Sequence, residues 1–310
     1  MSIAVLFPGQ GSQAVGMGAD LFDARPDLLG PAADEVLGWS LRSTCLDGPE
    51  EVLVRTERAQ PALYALSYAL WDAVAGLLPG PPAAAAGHSL GEYSALAASG
   101  AIGYLDGLRL VAARGAAMGE AARREPSGMA ALLGADLASA EELAAARRDV
   151  GGRLWVANLN APGQVVIAGG AEDVAWAADH ARDHGVRRVV PLKVAGAFHS
   201  PFMEPAAAAL RDALAGTHWA QPRFPVWANA TAAPHAGDIA STLLAQLTAP
   251  VRFAESLAGM AAAGVSLFLH VGPGDVTAGL AKRSVEGAET AVVSDLDGAA
   301  AAVDAFGDGR

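Results

Sequence analysis

A single cysteine, Cys45, occurs in the 310 residues. The chain therefore forms no internal disulfide and no cysteine-based zinc site. Charge is scarce as well: 17% of residues are charged against 52% hydrophobic, with a formal net charge of −12. That balance favours a sizeable buried core over disorder, and the length suits one large domain or one domain with an insertion. An acidic chain with no lysine-rich or arginine-rich run argues against nucleic acid as a partner. No basic, apolar, cleavable leader follows Met1, which with the lone cysteine points to a cytoplasmic protein. The most apolar stretch, Pro61 to Leu78, is preceded by Gln60, contains Asp72 and ends at Pro79-Gly80-Pro81-Pro82. It reads as a buried helix and not as a membrane span.

What is present is an alternation of strand and helix. Ile3 to Phe7 is a short strand closed by Pro8-Gly9. Helical stretches follow over 50–55, 61–78 and 105–124, with Asp106 placed to support the start of the last. This order reads as an α/β fold, a parallel sheet covered by helices. Past Glu125-Pro126-Ser127-Gly128 the pattern changes to strand (129–133), helix (139–148), strands (154–158 and 165–168), helix (172–184) and strand (188–194). That β-α-β-β-α-β order predicts a ferredoxin-like subdomain over 126–195, inserted into a large α/β-hydrolase-like domain made of 1–125 and 196–310. Short strands at 224–228 and 267–271 belong to the large domain.

Gly87-His88-Ser89-Leu90-Gly91 fits Gly-x-Ser-x-Gly, with a small-residue run before it and the helix-forming Glu92 to Ala98 after it. A strand-turn-helix with serine at the turn is a nucleophile elbow: glycines tolerate strained dihedrals and the hydroxyl is pushed into the open. The bland reading is a glycine-bounded turn with a serine at a helix start. In Pro8-Gly9-Gln10-Gly11-Ser12-Gln13, glycines flanking Gln10 let its backbone N–H approach an oxyanion, with the Leu90 N–H as second donor; the same loop also reads as a plain turn. His199, in Gly196-Ala197-Phe198-His199-Ser200-Pro201, is the best placed of the seven histidines to take a serine proton. A packed or capping role is its alternative. Arg114 sits in a helix of small apolar residues, where a buried guanidinium needs a carboxylate or phosphate, or an internal bridge to Asp106 or Glu120. No acid marks itself as the orienter of a histidine base, and a loop carbonyl from 246–252 could serve.

Eight segments together carry a resemblance: 7–13, 60–63, 87–96, 114–118, 158–164, 196–203, 246–251 and 271–274. In order and spacing the chain resembles malonyl-CoA:acyl-carrier-protein transacylases of fatty acid synthesis, relatives of polyketide synthase acyltransferase domains. The resemblance implies that Ser89 is the nucleophile, His199 the base and acid, and the backbone carbonyl of Gln246 the holder of its ring. It implies an oxyanion hole from the Gln10 and Leu90 N–H groups and Arg114 as the site for the malonyl carboxylate. Met118 and Phe198 would line the acyl pocket, with Asn160 and Gln60 in supporting substrate-binding roles. Malonyl-CoA and acyl carrier protein would be substrate and partner, with no metal or other cofactor. Because family carrier proteins are acidic, a local basic rim from Lys282-Arg283, Arg187-Arg188 and Lys193 is expected to dock them. The rivals are a stand-alone acyltransferase serving a polyketide synthase, a serine hydrolase, and a non-catalytic module that has kept the fold.

Overall fold

The computed structural model describes residues 2–307. Its strands, in chain order, are β1 (Ile3–Phe7), β2 (Ala84–Gly87), β3 (Ser127–Leu133), β4 (Leu154–Ala161), β5 (Gln164–Gly170), β6 (Arg188–Pro191), β7 (Val226–Ala228), β8 (Ala233–Pro234), β9 (Leu267–Val271) and β10 (Glu289–Val293). A six-stranded sheet runs β10-β9-β1-β2-β7-β8, parallel at every pairing except β7 with β8. β1 lies at its centre, buried on both faces, and its side chains divide with the two-residue period of a strand. Ile3, Val5 and Phe7 enter one core, with Leu63, Leu66 and Leu70 of the helix Thr56–Ala75. Ala4 and Leu6 enter the opposite core, with Phe253, Leu257 and Phe268. The chain leaves β1 to one side for β2 and later returns to the other side for β9. The carboxyl ends of β1 and β2 therefore lie at a switch point, where open α/β sheets form their clefts.

Residues from Ser127 to Pro191 build a second sheet, β4-β5-β3-β6, antiparallel at each pairing. With the helices Leu137–Asp149 and Ala171–His180 its chain order is β-α-β-β-α-β, the order of the ferredoxin-like motif. Alternation again assigns the faces: Ala130 and Leu132 pack on those helices, whereas Met129 and Ala131 face the main core. The second sheet is tied to the segment before the helix Phe253–Ala262 where Leu159 donates to the Val251 carbonyl (2.8 Å) and Val251 to that of Ala157 (2.9 Å).

Several boundaries differ from those read in the sequence. The helix expected over 61–78 spans Thr56–Ala75 and carries Pro61 in its interior. Proline loses one helical hydrogen bond there, and the burial of Ala62 to Leu66 on either face of it holds the turn regardless. The strand expected over 188–194 ends at Pro191, with one further bond to β3 from the Leu192 N–H to the Met129 carbonyl (2.9 Å). The helix expected over 172–184 is α-helical only to His180, then tightens into a 3₁₀ turn, Ala181–His184. No helix among the described residues is long and apolar enough to cross a membrane.

Candidate active site

Ser89 follows β2 at the tip of the elbow and precedes the helix Gly91–Ala98. Its φ is +51°, in the left-handed region that costs a non-glycine residue about 1–2 kcal/mol. The strain thus falls on the serine itself, and the flanking glycines do a different job from the one inferred above. A Cβ on Gly87 would lie 1.8 Å from the Gly91 carbonyl carbon, and one on Gly91 2.3 Å from the Phe7 carbonyl oxygen. They are needed because strand, turn and helix touch there. Asn229, just past β7, holds the elbow closed: its Oδ1 accepts from the Ser89 N–H (2.7 Å) and its Nδ2 donates to the Gly87 carbonyl (2.8 Å).

His199 also has a positive φ, +57°, and its Nε2 lies 2.7 Å from Ser89 Oγ. Its Nδ1 is 2.9 Å from the Gln246 main-chain carbonyl. A carbonyl only accepts, which places the ring hydrogen on Nδ1 and leaves the Nε2 lone pair facing the serine hydroxyl. Burial first, and the nearby Arg114 charge second, pull the His199 pKa down to about 3. The ring is therefore neutral at neutral pH. A group with a depressed pKa loses its basic form only below that value, so the acid limb of kcat/KM for serine acylation is expected well under the usual histidine range. From pH 7.5 to 5.5 an ordinary histidine base would cost about tenfold. Stopped-flow acylation rates should instead fall by less than about twofold.

Arg114 has 0% exposure, and neither sequence alternative partners it: Asp106 binds Arg109 and Glu120 binds Arg123. Nη1 donates to Gln60 Oε1 (2.7 Å), and Nη2 to Gln246 Oε1 (2.9 Å) and Ser89 Oγ (3.1 Å). The guanidinium lies 5.3 Å from the centroid of the Tyr93 ring. Among the described residues no carboxylate lies within ion-pair distance of it, and its Nε has no partner at all. Burial lowers its pKa against the smaller opposing effects of Tyr93 and Glu92, as desolvation does for a cation with no carboxylate in contact. Such a cation, aimed at a nucleophile, is a site prepared for a carboxylate on an incoming group.

Ser89 and His199 open into a cleft of about 480 Å³ lined also by Gln10, Leu90, Met118 and Phe198 among others, and Arg114 lies behind Ser89, outside that lining. Gln10 and Leu90 donate no backbone hydrogen bond to any described residue, so both N–H groups are available to an oxyanion. Gly11 has φ +108°, and a Cβ on Gly9 would lie 2.5 Å from the His88 carbonyl oxygen, so this loop is pressed against the elbow. Asn160 lies on the wall and holds His88, Oδ1 to Nε2 2.7 Å. His88 is thereby turned away from the base role. Gln60 lines the cleft, accepts from Arg114 behind it and sets its Nε2 against Met118 Sδ (3.5 Å). Lys193 and Arg283 stand in the lining, whereas Lys282, Arg187 and Arg188 do not.

Sequence reasoning missed Glu92, Asn229, His235 and the Gln246 side chain, and the wall residues Met129 and Val166. Only Glu92 left a signal, as an acid inside a helix otherwise small and apolar. Asn229, by contrast, looks like any loop asparagine until the fold brings it 140 positions back to Ser89.

The acyl transferase domain family matches residues 5–299. Malonyl CoA-acyl carrier protein transacylase of Bacillus subtilis is 41% identical over 299 residues, 94% of this chain and 93% of that protein. The crystal structure of malonyl-CoA:acyl carrier protein transacylase from Xanthomonas oryzae superposes with a TM-score of 0.92 at 38% identity, covering 98% of this chain and 99% of that one. A malonyl-transacylase solved in complex with its holo type II polyketide synthase acyl-carrier protein gives 0.93 at 37% identity, covering 98% and 100%.

Proposed function

The chain belongs to the acyl transferase domain family, and on that premise we propose that it is a malonyl-CoA:acyl-carrier-protein transacylase supplying fatty acid synthesis. The observation that carries the malonyl assignment is the buried Arg114 guanidinium, without a carboxylate of its own and 3.1 Å from Ser89 Oγ. A substrate with a free carboxylate supplies the missing counter-charge. An acetyl group would leave it missing, at a cost of a few kcal/mol.

The reaction is ping-pong. The malonyl carboxylate seats against Arg114 while Ser89 Oγ attacks the thioester carbon and its proton passes to His199 Nε2. The tetrahedral oxyanion is held by the Gln10 and Leu90 N–H groups, aided by the amino end of the helix Gly91–Ala98. Collapse breaks the carbon–sulfur bond, and CoA leaves as the thiol with the proton from His199. The carrier's phosphopantetheine thiol then gives its proton to His199 and attacks the malonyl-serine ester, and Ser89 recovers the proton as the new thioester forms. A thiolate leaves easily, so a backbone carbonyl suffices to orient His199 and no metal or redox group enters. Residues 1–125 and 196–310 carry the machinery, 126–195 wall the cleft, and the cytoplasm is the compartment where carrier and CoA ester are met.

Intact-mass analysis tests this. The chain should gain one malonyl group from malonyl-CoA and lose it to a phosphopantetheinylated carrier protein. A stable ester that water, and no carrier thiol, removes would sink the transferase reading. A polyketide carrier is the informative comparison, given the similarity to a transacylase bound to one. In the same assay, charge reversal at Arg188 and Lys282, outside the cleft lining, should raise carrier KM severalfold and spare acylation by malonyl-CoA. Reversal at Lys193 and Arg283, within the lining, should disturb both half-reactions.

A further inference from the structure

Glu92 is completely buried three residues beyond the nucleophile, and the transfer described above makes no use of it. Among the described residues no lysine or arginine lies within ion-pair distance of it, and Oε1 lies 2.8 Å from His235 Nε2. Oε2 accepts from the Asn229 N–H (2.9 Å) and from Gln246 Nε2 (2.7 Å). The second hydrogen of Gln246 Nε2 goes to the Ser89 carbonyl (3.0 Å), and Gln246 Oε1 accepts from Arg114 Nη2. The carboxamide thus lies between a group that only accepts, Glu92, and one that only donates, Arg114. A half-turn about its terminal bond would set N–H against N–H on one side and oxygen against carboxylate on the other. Two like contacts in a buried site are costly enough to leave a single orientation.

We propose that Glu92 is a positioning residue for carboxylate recognition: it locks the Gln246 carboxamide with its oxygen toward Arg114, and so aims Nη2 at Ser89. The lock rests on the malonyl reading of Arg114. His235 makes glutamine a poor substitute for Glu92. If the oxygen of the introduced carboxamide takes the His235 hydrogen, its amide group faces Gln246 and drives that side chain round, presenting N–H to Arg114. If the introduced oxygen faces Gln246 instead, the His235 hydrogen must move to Nδ1, which is buried without a partner.

The test is the ratio of kcat/KM for malonyl-CoA to that for acetyl-CoA in the full chain, with thermal unfolding alongside. Glu92→Gln should lower the ratio about tenfold or more with little loss of Tm. Glu92→Asp keeps an acceptor-only group one methylene short; it should lose more Tm but only about two- to fivefold of the ratio. A merely structural role predicts the reverse, with rates for both esters falling together in step with Tm. An unchanged ratio in Glu92→Gln overturns the lock; if that variant does not fold, an unchanged ratio in Glu92→Asp does so. Should the unsubstituted chain itself fail to prefer malonyl-CoA, the Arg114 reading falls first, which separates the two failures.

Discussion

Ser89→Ala is expected to take up no malonyl group from malonyl-CoA, with the overall transfer rate falling about 10⁴-fold or more. Among the described residues no other nucleophile is held against a base in the cleft: His88 is bound to Asn160, and Cys45 is buried with its thiol pKa pushed up to about 12. The fold should be spared. Serine already bears the φ of +51°, and alanine bears the same strain, so Tm should hardly move. Ser89→Gly, equally inactive, relieves that strain and should melt higher by the equivalent of about 1 kcal/mol. His199→Ala leaves the nucleophile but removes its base; malonyl-ester formation should slow about 10²–10⁴-fold. Intact-mass time courses and differential scanning calorimetry check both. A full malonyl adduct on Ser89→Ala would place the nucleophile elsewhere.

What the chain revealed in advance was whatever depends on neighbours in sequence. Gly87 and Gly91 flank Ser89 at fixed offsets, Gly9 and Gly11 flank Gln10, and Ile3 to Phe7 declares a strand by composition. The division of β1 between two cores follows from its period alone. What stayed hidden depends on residues far apart in the chain and is chemically ordinary at each one. Glu92 in the first turn of a helix looks like an acid favoured by the helix dipole, yet it is buried because Asn229, His235 and Gln246 arrive 137 to 154 positions later to bond it. Gln246 was legible only as a backbone carbonyl near a proline. Its carboxamide matters because the amino-terminal elbow and the helix bearing Arg114 converge on it. Close contact of strand, turn and helix, and not left-handed dihedrals, demands Gly87 and Gly91.

Arg114→Ala should separate recognition from chemistry. Ser89 Oγ loses one donor in that variant, but its contact with His199 Nε2 and the two backbone N–H groups do not depend on the guanidinium, so the chemical machinery survives. What vanishes is the charge-assisted contact with the substrate carboxylate, where hydrogen bonds to a charged group contribute about 1.5–3 kcal/mol each. A two-pronged contact then predicts a fall of about 10²–10⁴-fold in kcat/KM for malonyl-CoA. For acetyl-CoA the sign differs. In the unsubstituted chain an acetyl group closes the cleft over a buried cation with no carboxylate in contact, and removing that cation removes the penalty. Acetyl transfer should hold or rise while malonyl transfer collapses, and their ratio should approach one. Stability bears on the same point, because the variant leaves the carboxamide oxygens of Gln60 and Gln246 without a donor but also removes an unpaired charge from the core. These oppose each other, so the loss in Tm should be smaller than for breaking a paired buried arginine, which costs about 3–5 kcal/mol. Arg114→Lys keeps the charge without the fork and should fall between, binding malonyl-CoA through one contact where the guanidinium offers two. Rates for malonyl- and acetyl-CoA that fell in equal proportion in Arg114→Ala would mean that the guanidinium serves only to hold Ser89 and Gln246 in place, and the preference for a carboxylate would have to come from another part of the cleft.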